Sequence, residues 1–185
     1  MGVTGFWHAG VTVSDLDRSL AFYVDALGLE LIRRAPATAV AERIWRLPGA
    51  QAEVAYVGIP GTAAVIELTC FSGVETHPAS ARPCDPAHGH VCLYVDDLDA
   101  LHERLVERGY RSRSGEVLTI ADGALAGSKA VYMIDPDGFH VELFQKRDQA
   151  DTTPAVASSA SSASDTPASP ASTSRVCSPT AGTPS

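Results

Sequence analysis

The strongest constraint on this chain is that it states one pattern twice. The stretch "WHAGVTVSDLD", beginning at Trp7, returns as "GHVCLYVDDLD", beginning at Gly89. In both, a histidine heads an alternating strand and an Asp-Leu-Asp segment opens a helix. A repeat of this size means two stacked copies of one supersecondary unit, neither able to bury its apolar face alone.

The periodicities fill in the unit. In the first copy Ala9, Val11 and Val13 point one way and His8, Gly10 and Thr12 the other. Ser14 is placed to cap a helix, with Asp17 three positions on as a variant capping box. Leu16, Leu20, Tyr23 and Leu27 follow at helical spacing, and Gly28 supplies the stop. Strands are expected at "LELIRR", "AEVAYVGI" and "AVIELTCF", with Pro-Gly turns at 48–49 and 60–61. In the second copy Val91, Leu93 and Val95 oppose His90, Cys92 and Tyr94. Asp96 or Asp97 caps a helix bearing Leu98, Leu101 and Leu105 that ends at Gly109. "KAVYMI", the turn "DPDG" and "FHVELFQ" close the unit. The expected fold class is α+β: two βαβββ modules, about 5–72 and 88–147, joined through the proline-containing stretch 73–87.

Composition sets the outer boundary. From 148 to 185 the chain is mostly Ala, Ser, Thr and Pro, with almost no large apolar residue to offset the entropy of ordering. A domain at 1–147 followed by a disordered tail is expected. The formal net charge of −8 opposes nucleic acid and anionic membranes, and no apolar run reaches membrane-spanning length. The start shows no charged and apolar leader, so no signal peptide is expected. Cys70, Cys84, Cys92 and Cys177 form no C-x-x-C pair. A reduced, cytoplasmic setting follows as the simplest expectation.

The polar faces carry the chemistry. In "VIELT", Ile66 and Leu68 share a face and Glu67 takes the other; in "HVELF", Val141 and Leu143 share a face opposite His140, Glu142 and Phe144. Each unit therefore begins with a strand bearing a histidine, and ends with one bearing a glutamate, on the face away from the helices. Two imidazoles and two carboxylates on such a face form a mixed nitrogen–oxygen site for a divalent metal. The expected ligands are His8, Glu67, His90 and Glu142. His77, His88 and His102 lack this register and are expected to be structural or exposed, whereas His140 shares the face of Glu142 and suits a supporting or substrate-contacting role.

These motifs, "HAGVTVSDLDRSLAFYVDALGLEL", "AAVIELT", "GHVCLYVDDLDA" and "DPDGFHVELF", resemble the vicinal oxygen chelate superfamily over residues 5 to about 146. That superfamily includes glyoxalase I, methylmalonyl-CoA epimerase, extradiol dioxygenases and drug-resistance proteins. The resemblance implies paired βαβββ modules forming a cupped mixed sheet around one divalent metal per site, whether nickel, zinc, cobalt, manganese or iron. The His/Glu/His/Glu set looks most like bacterial glyoxalase I. This implies a homodimer, a small-molecule substrate, and isomerisation of a hemithioacetal through a metal-chelated ene-diolate. Glu142 is the first choice for the base and Glu67 the second. An epimerase, then a dioxygenase, then a non-catalytic drug-binding protein are the alternatives within the same fold.

Overall fold

The computed structural model describes residues 2–77 and 82–147; the expected tail, 148–185, lies outside the described residues. The first module runs β1 (Ala9–Val13), α1 (Leu16–Leu20), a π-helical turn (Ala21–Ala26), β2 (Glu30–Pro36), α2 (Thr38–Arg43), β3 (Gln51–Gly58) and β4 (Val65–Ser72). The second runs β5 (His90–Tyr94), α3 (Leu98–Glu107), β6 (Arg111–Ser112), β7 (Leu118–Thr119), β8 (Lys129–Ile134) and β9 (His140–Gln145). The strand orders are β1-β4-β3-β2 and β5-β9-β8-β6, with β7 added on β8. In each module the first strand lies parallel to the last and the remaining pairs are antiparallel. The expected modules are both present.

Two local expectations change. Asp15, not Ser14, caps α1, its carboxylate accepting from the Arg18 N–H at 3.0 Å. Ser14 is drawn away to the other module: its N–H and hydroxyl both donate to Asp137, at 2.9 and 2.6 Å, beside the Arg18 guanidinium. The stretch between β2 and β3 also forms α2, which packs Ala41 against Ala50 and Ala52 in a small satellite core. Elsewhere the punctuation is as expected. Asp97 caps α3, and Gly28, Gly49, Gly61, Gly109 and Gly138 all take the left-handed φ their turns require.

The helices join the modules. A single core contains Val11, Leu16, Phe22, Tyr23, Ile66 and Leu68 of the first together with Leu98, Leu101, Met133, Val141 and Leu143 of the second. The π turn places the adjacent residues Phe22 and Tyr23 both at full burial. Phe22 packs edge-on against Tyr110, and the Tyr23 hydroxyl donates to buried Asp135 at 3.1 Å. Truncating a core leucine such as Leu68 to alanine should cost about 2–5 kcal/mol. With the helix-covered faces buried together, the faces bearing the polar residues point away from this shared core. Among the described residues, no helix is long and apolar enough to cross a membrane.

Candidate metal centre

The parallel register of β1 and β4 sets Gly10 beside Glu67, and His8, two residues earlier, stands on the same face. His8 Nε2 lies 3.8 Å from Glu67 Oε2. The other carboxylate oxygen accepts from the hydroxyl of buried Thr69 at 3.2 Å. Tyr56 faces Glu67 across the β3–β4 ladder, and hydrogen bonding to that carboxylate, followed by burial, pushes its phenol above the ordinary range. Trp7 stacks on Tyr56 and meets His8 edge-on. His8 Nδ1 is buried with no hydrogen-bond partner.

The second module repeats the arrangement with different neighbours. Cys92 and Tyr132 flank Glu142 in register. His90 Nε2 is 3.1 Å from Glu142 Oε2. The Tyr132 hydroxyl donates to that oxygen at 3.2 Å and stands 3.4 Å from the imidazole nitrogen. Burial first, then the Glu142 charge, raises the Tyr132 phenol and pushes the Cys92 thiol up to about 11, so both remain protonated donors.

His140 sits behind this pair, buried. Its Nδ1 is 2.9 Å from His88 Nε2, and its Nε2 faces the Arg113 guanidinium at 3.5 Å. A guanidinium only donates, so His140 Nε2 is the bare nitrogen and Nδ1–H points to His88. Burial first, then the charges of His88, Arg113 and His90, lowers the His140 pKa and keeps the ring neutral. His140 thus joins His88 and Arg113 in a cluster beside the Tyr132 ring. His88, expected to be structural or exposed, has a structural place in this cluster. His102 bonds Ser112 at 3.0 Å, and His77 is exposed near Glu75.

The four expected ligands thus come together as two pairs. The Glu67 and Glu142 side chains are only 12% and 17% exposed, yet neither has a lysine or arginine partner among the described residues. Largely buried carboxylates without a cation call for one. Two ligands about 2.1 Å from one cation and at right angles stand about 3 Å apart, so the separation of the His90 pair matches half a coordination shell and that of the His8 pair is slightly wide. No group of three or more His, Cys, Asp or Glu residues positioned to hold a metal occurs among the described residues. Each pair supplies two donors on its own. Tyr56 and Tyr132 escaped the sequence reading, although "VAYVG" and "AVYMI" place them at matching points of the repeat.

Residues 5–143 match the Glyoxalase/Bleomycin resistance protein/Dioxygenase superfamily. The chain is 34% identical over 144 residues to a lactoylglutathione lyase of Salmonella typhimurium, covering 76% of this chain and 92% of that protein. It is 28% identical over 146 residues to a 2-epi-5-epi-valiolone epimerase of an Actinomyces species, covering 77% and 79%. Its fold superposes on a glyoxalase family protein from Bacillus cereus with a TM-score of 0.69 at 22% identity, covering 80% of this chain and 97% of the other.

Proposed function

The chain belongs to the Glyoxalase/Bleomycin resistance protein/Dioxygenase superfamily, and from that premise we propose that it is a divalent-metal-dependent isomerase of glyoxalase I type. Its substrate is a small thiol adduct or thioester. The observation that carries this reading is the pair of largely buried glutamates, each facing one histidine in the same register and lacking any lysine or arginine partner among the described residues. A divalent cation held by His8, Glu67, His90 and Glu142 supplies a Lewis acid for oxygens on adjacent substrate carbons.

The chain's own residues then move the proton. On a hemithioacetal the Glu142 carboxylate takes it from the hydroxyl-bearing carbon beside the carbonyl and returns it to the former carbonyl carbon, while the hydroxyl proton passes from the first oxygen to the second, so the carboxylate is regenerated and substrate and product are isomers. Tyr132 steers Glu142 by donating to one of its oxygens. Glu67, held by Thr69 and Tyr56, serves chiefly as a ligand. The lactoylglutathione lyase and epimerase relatives support proton exchange as the underlying chemistry.

A complete site takes one His/Glu pair from each of two chains in a symmetric dimer. Aromatic residues beside the half-sites support this: Phe6, Trp7 and Tyr94 are 81%, 69% and 70% exposed and suit burial against a second copy. Free thiols at Cys70, Cys84 and Cys92 suit a reduced cytoplasm.

The test pairs Glu142→Gln with Glu67→Gln, assayed on a hemithioacetal in deuterated water. Glu142→Gln keeps a ligating oxygen, so metal should remain while turnover falls roughly 10²–10⁴-fold; Glu67→Gln should cost less. Wild-type turnover in Glu142→Gln, or oxygen consumption without solvent deuterium on carbon, would overturn the reading.

A further inference from the structure

Beside the second half-site lies a cavity of about 480 Å³, within the size range of small-molecule sites. Its position follows from the strand register. Tyr132 pairs with Glu142, so Tyr132 and Ala130, two residues apart on β8, share the face of the proposed base. Leu118 of β7 lies opposite Ala130 on that face. Leu118, Ile120, Ala130 and Pro83 make the wall almost wholly apolar. Tyr132 belongs both to this wall and to the His90–Glu142 pair, so a molecule filling the cavity lies next to the carboxylate that moves the proton.

Arg113 supplies the cavity's charge. Among the described residues no carboxylate stands within ion-pair distance of its guanidinium, in a chain whose net charge is −8. One nitrogen faces His140 Nε2, and His140 is in turn anchored by His88. The imidazole accepts without neutralising, so it orients the guanidinium and leaves its charge and remaining N–H donors for another partner. Exposed arginines usually point into bulk water; this one is steered by a buried ring and lines an apolar hollow.

We propose that this cavity is a subsite for an apolar carboxylate: an aryl or alkyl portion of the substrate seated against Leu118, Ile120 and Ala130, its carboxylate paired with Arg113. The apolar wall selects the hydrocarbon, and the guanidinium selects the planar anion through two parallel hydrogen bonds. Only the identification of this ligand with the isomerase's substrate rests on the reading above; the subsite itself rests on the wall and on Arg113.

The test is direct binding to the full chain by calorimetry, with 4-phenylbutyrate and its uncharged amide as probes. The acid should bind at least about tenfold more tightly than the amide, the preference of a charge-assisted pair over a neutral one. Arg113→Gln should lower the acid to the affinity of the amide and leave the amide unchanged. Ala130→Trp should weaken both probes about tenfold by filling the hollow; Leu118→Trp, at a half-exposed position that tolerates the ring, provides a second filling variant. Equal binding of acid and amide to the unmodified chain, or unchanged binding in both tryptophan variants, would overturn the subsite. A chain that binds the acid through Arg113 yet exchanges no proton with solvent keeps the subsite and loses the isomerase reading. A chain that exchanges protons but ignores the acid loses the subsite alone.

Discussion

The two modules share one plan and treat their glutamates differently. In the first, Glu67 is braced by the buried Thr69 hydroxyl and by Tyr56, and the small Gly10 lies beside it. In the second, Glu142 has Tyr132 and the weakly donating Cys92 thiol as neighbours, with the His140–His88–Arg113 cluster and an open cavity alongside. What the copies hold in common is the strand register that aims a histidine and a glutamate at one point. What differs is everything around that point. The first module resembles a fixed ligand mount and the second a working face.

The comparison breaks most visibly if the halves are tested in trans. A chain carrying His8→Ala and Glu67→Gln, and a second carrying His90→Ala and Glu142→Gln, should each be inactive alone. If every site draws one pair from each chain, mixing and re-associating the two should restore roughly a quarter of wild-type activity, because half of the dimers are mixed and each of those has one intact site. No recovery in a mixture shown to contain mixed dimers would place both pairs of a site on one chain.

The turns before the last strands differ next most. Asp135, buried in the second module, accepts from the Tyr23 hydroxyl and from the N–H groups of Asp137 and Phe139. Asp135→Ala strands those donors and should cost about 3 kcal/mol, read from urea unfolding. The corresponding turn of the first module relies on exposed Thr62, whose replacement by alanine should cost under about 1 kcal/mol. Burial, the largest cause, holds the Asp135 carboxyl above its ordinary range despite the bonds that oppose it. The folded chain therefore holds that proton more tightly than the unfolded chain does. The stabilisation from this group is complete below the unfolded value of about 3.9 and is lost as pH rises through the folded one. Asp135→Asn should flatten that part of the stability–pH curve.

Smaller effects separate the tyrosines. Tyr132→Phe removes the hydroxyl that donates to Glu142 and should lower turnover about tenfold, whereas Tyr56→Phe leaves Thr69 on Glu67 and should change turnover less than about threefold. Equal losses would erase the distinction between mount and working face. Smallest of all, ending the chain at 147 should leave the melting temperature unchanged, since the residues beyond it carry almost no large apolar side chain.

The modules and the pairing of His8 with Glu67 and His90 with Glu142 were legible because both rest on short-period patterns. Alternation in "HAGVTV" and "HVELF" decides which side chains share a face, and duplication ties the two readings together. The helix start at Ser14 was misjudged for a non-local reason: its hydroxyl and N–H meet Asp137, far along the chain. The place of His88 beside His140 is likewise made by tertiary structure and not by its neighbours in sequence. Helix α2 lacks a side-chain cap and, at six residues, depends on alanine packing against β3 as well as on the helix propensity of its alanines. The separation of the two pairs from one another was not legible, because it depends on the shared core that turns the polar faces outward.

In the proposed dimer, dividing the donors between chains would make catalysis a matter of abundance. On that reading a lone copy would offer two bidentate chelators, each too sparse to retain a cation strongly, whereas a pair of copies would offer two complete shells. Metal uptake and self-association are then linked equilibria: each ion bound draws chains together, and each encounter of chains raises affinity for the ion. Specific activity in dilute solution should fall faster than protein concentration, and added metal should delay that fall. A cell could therefore silence such an enzyme by lowering either its copy number or its free metal, without touching a residue of the site.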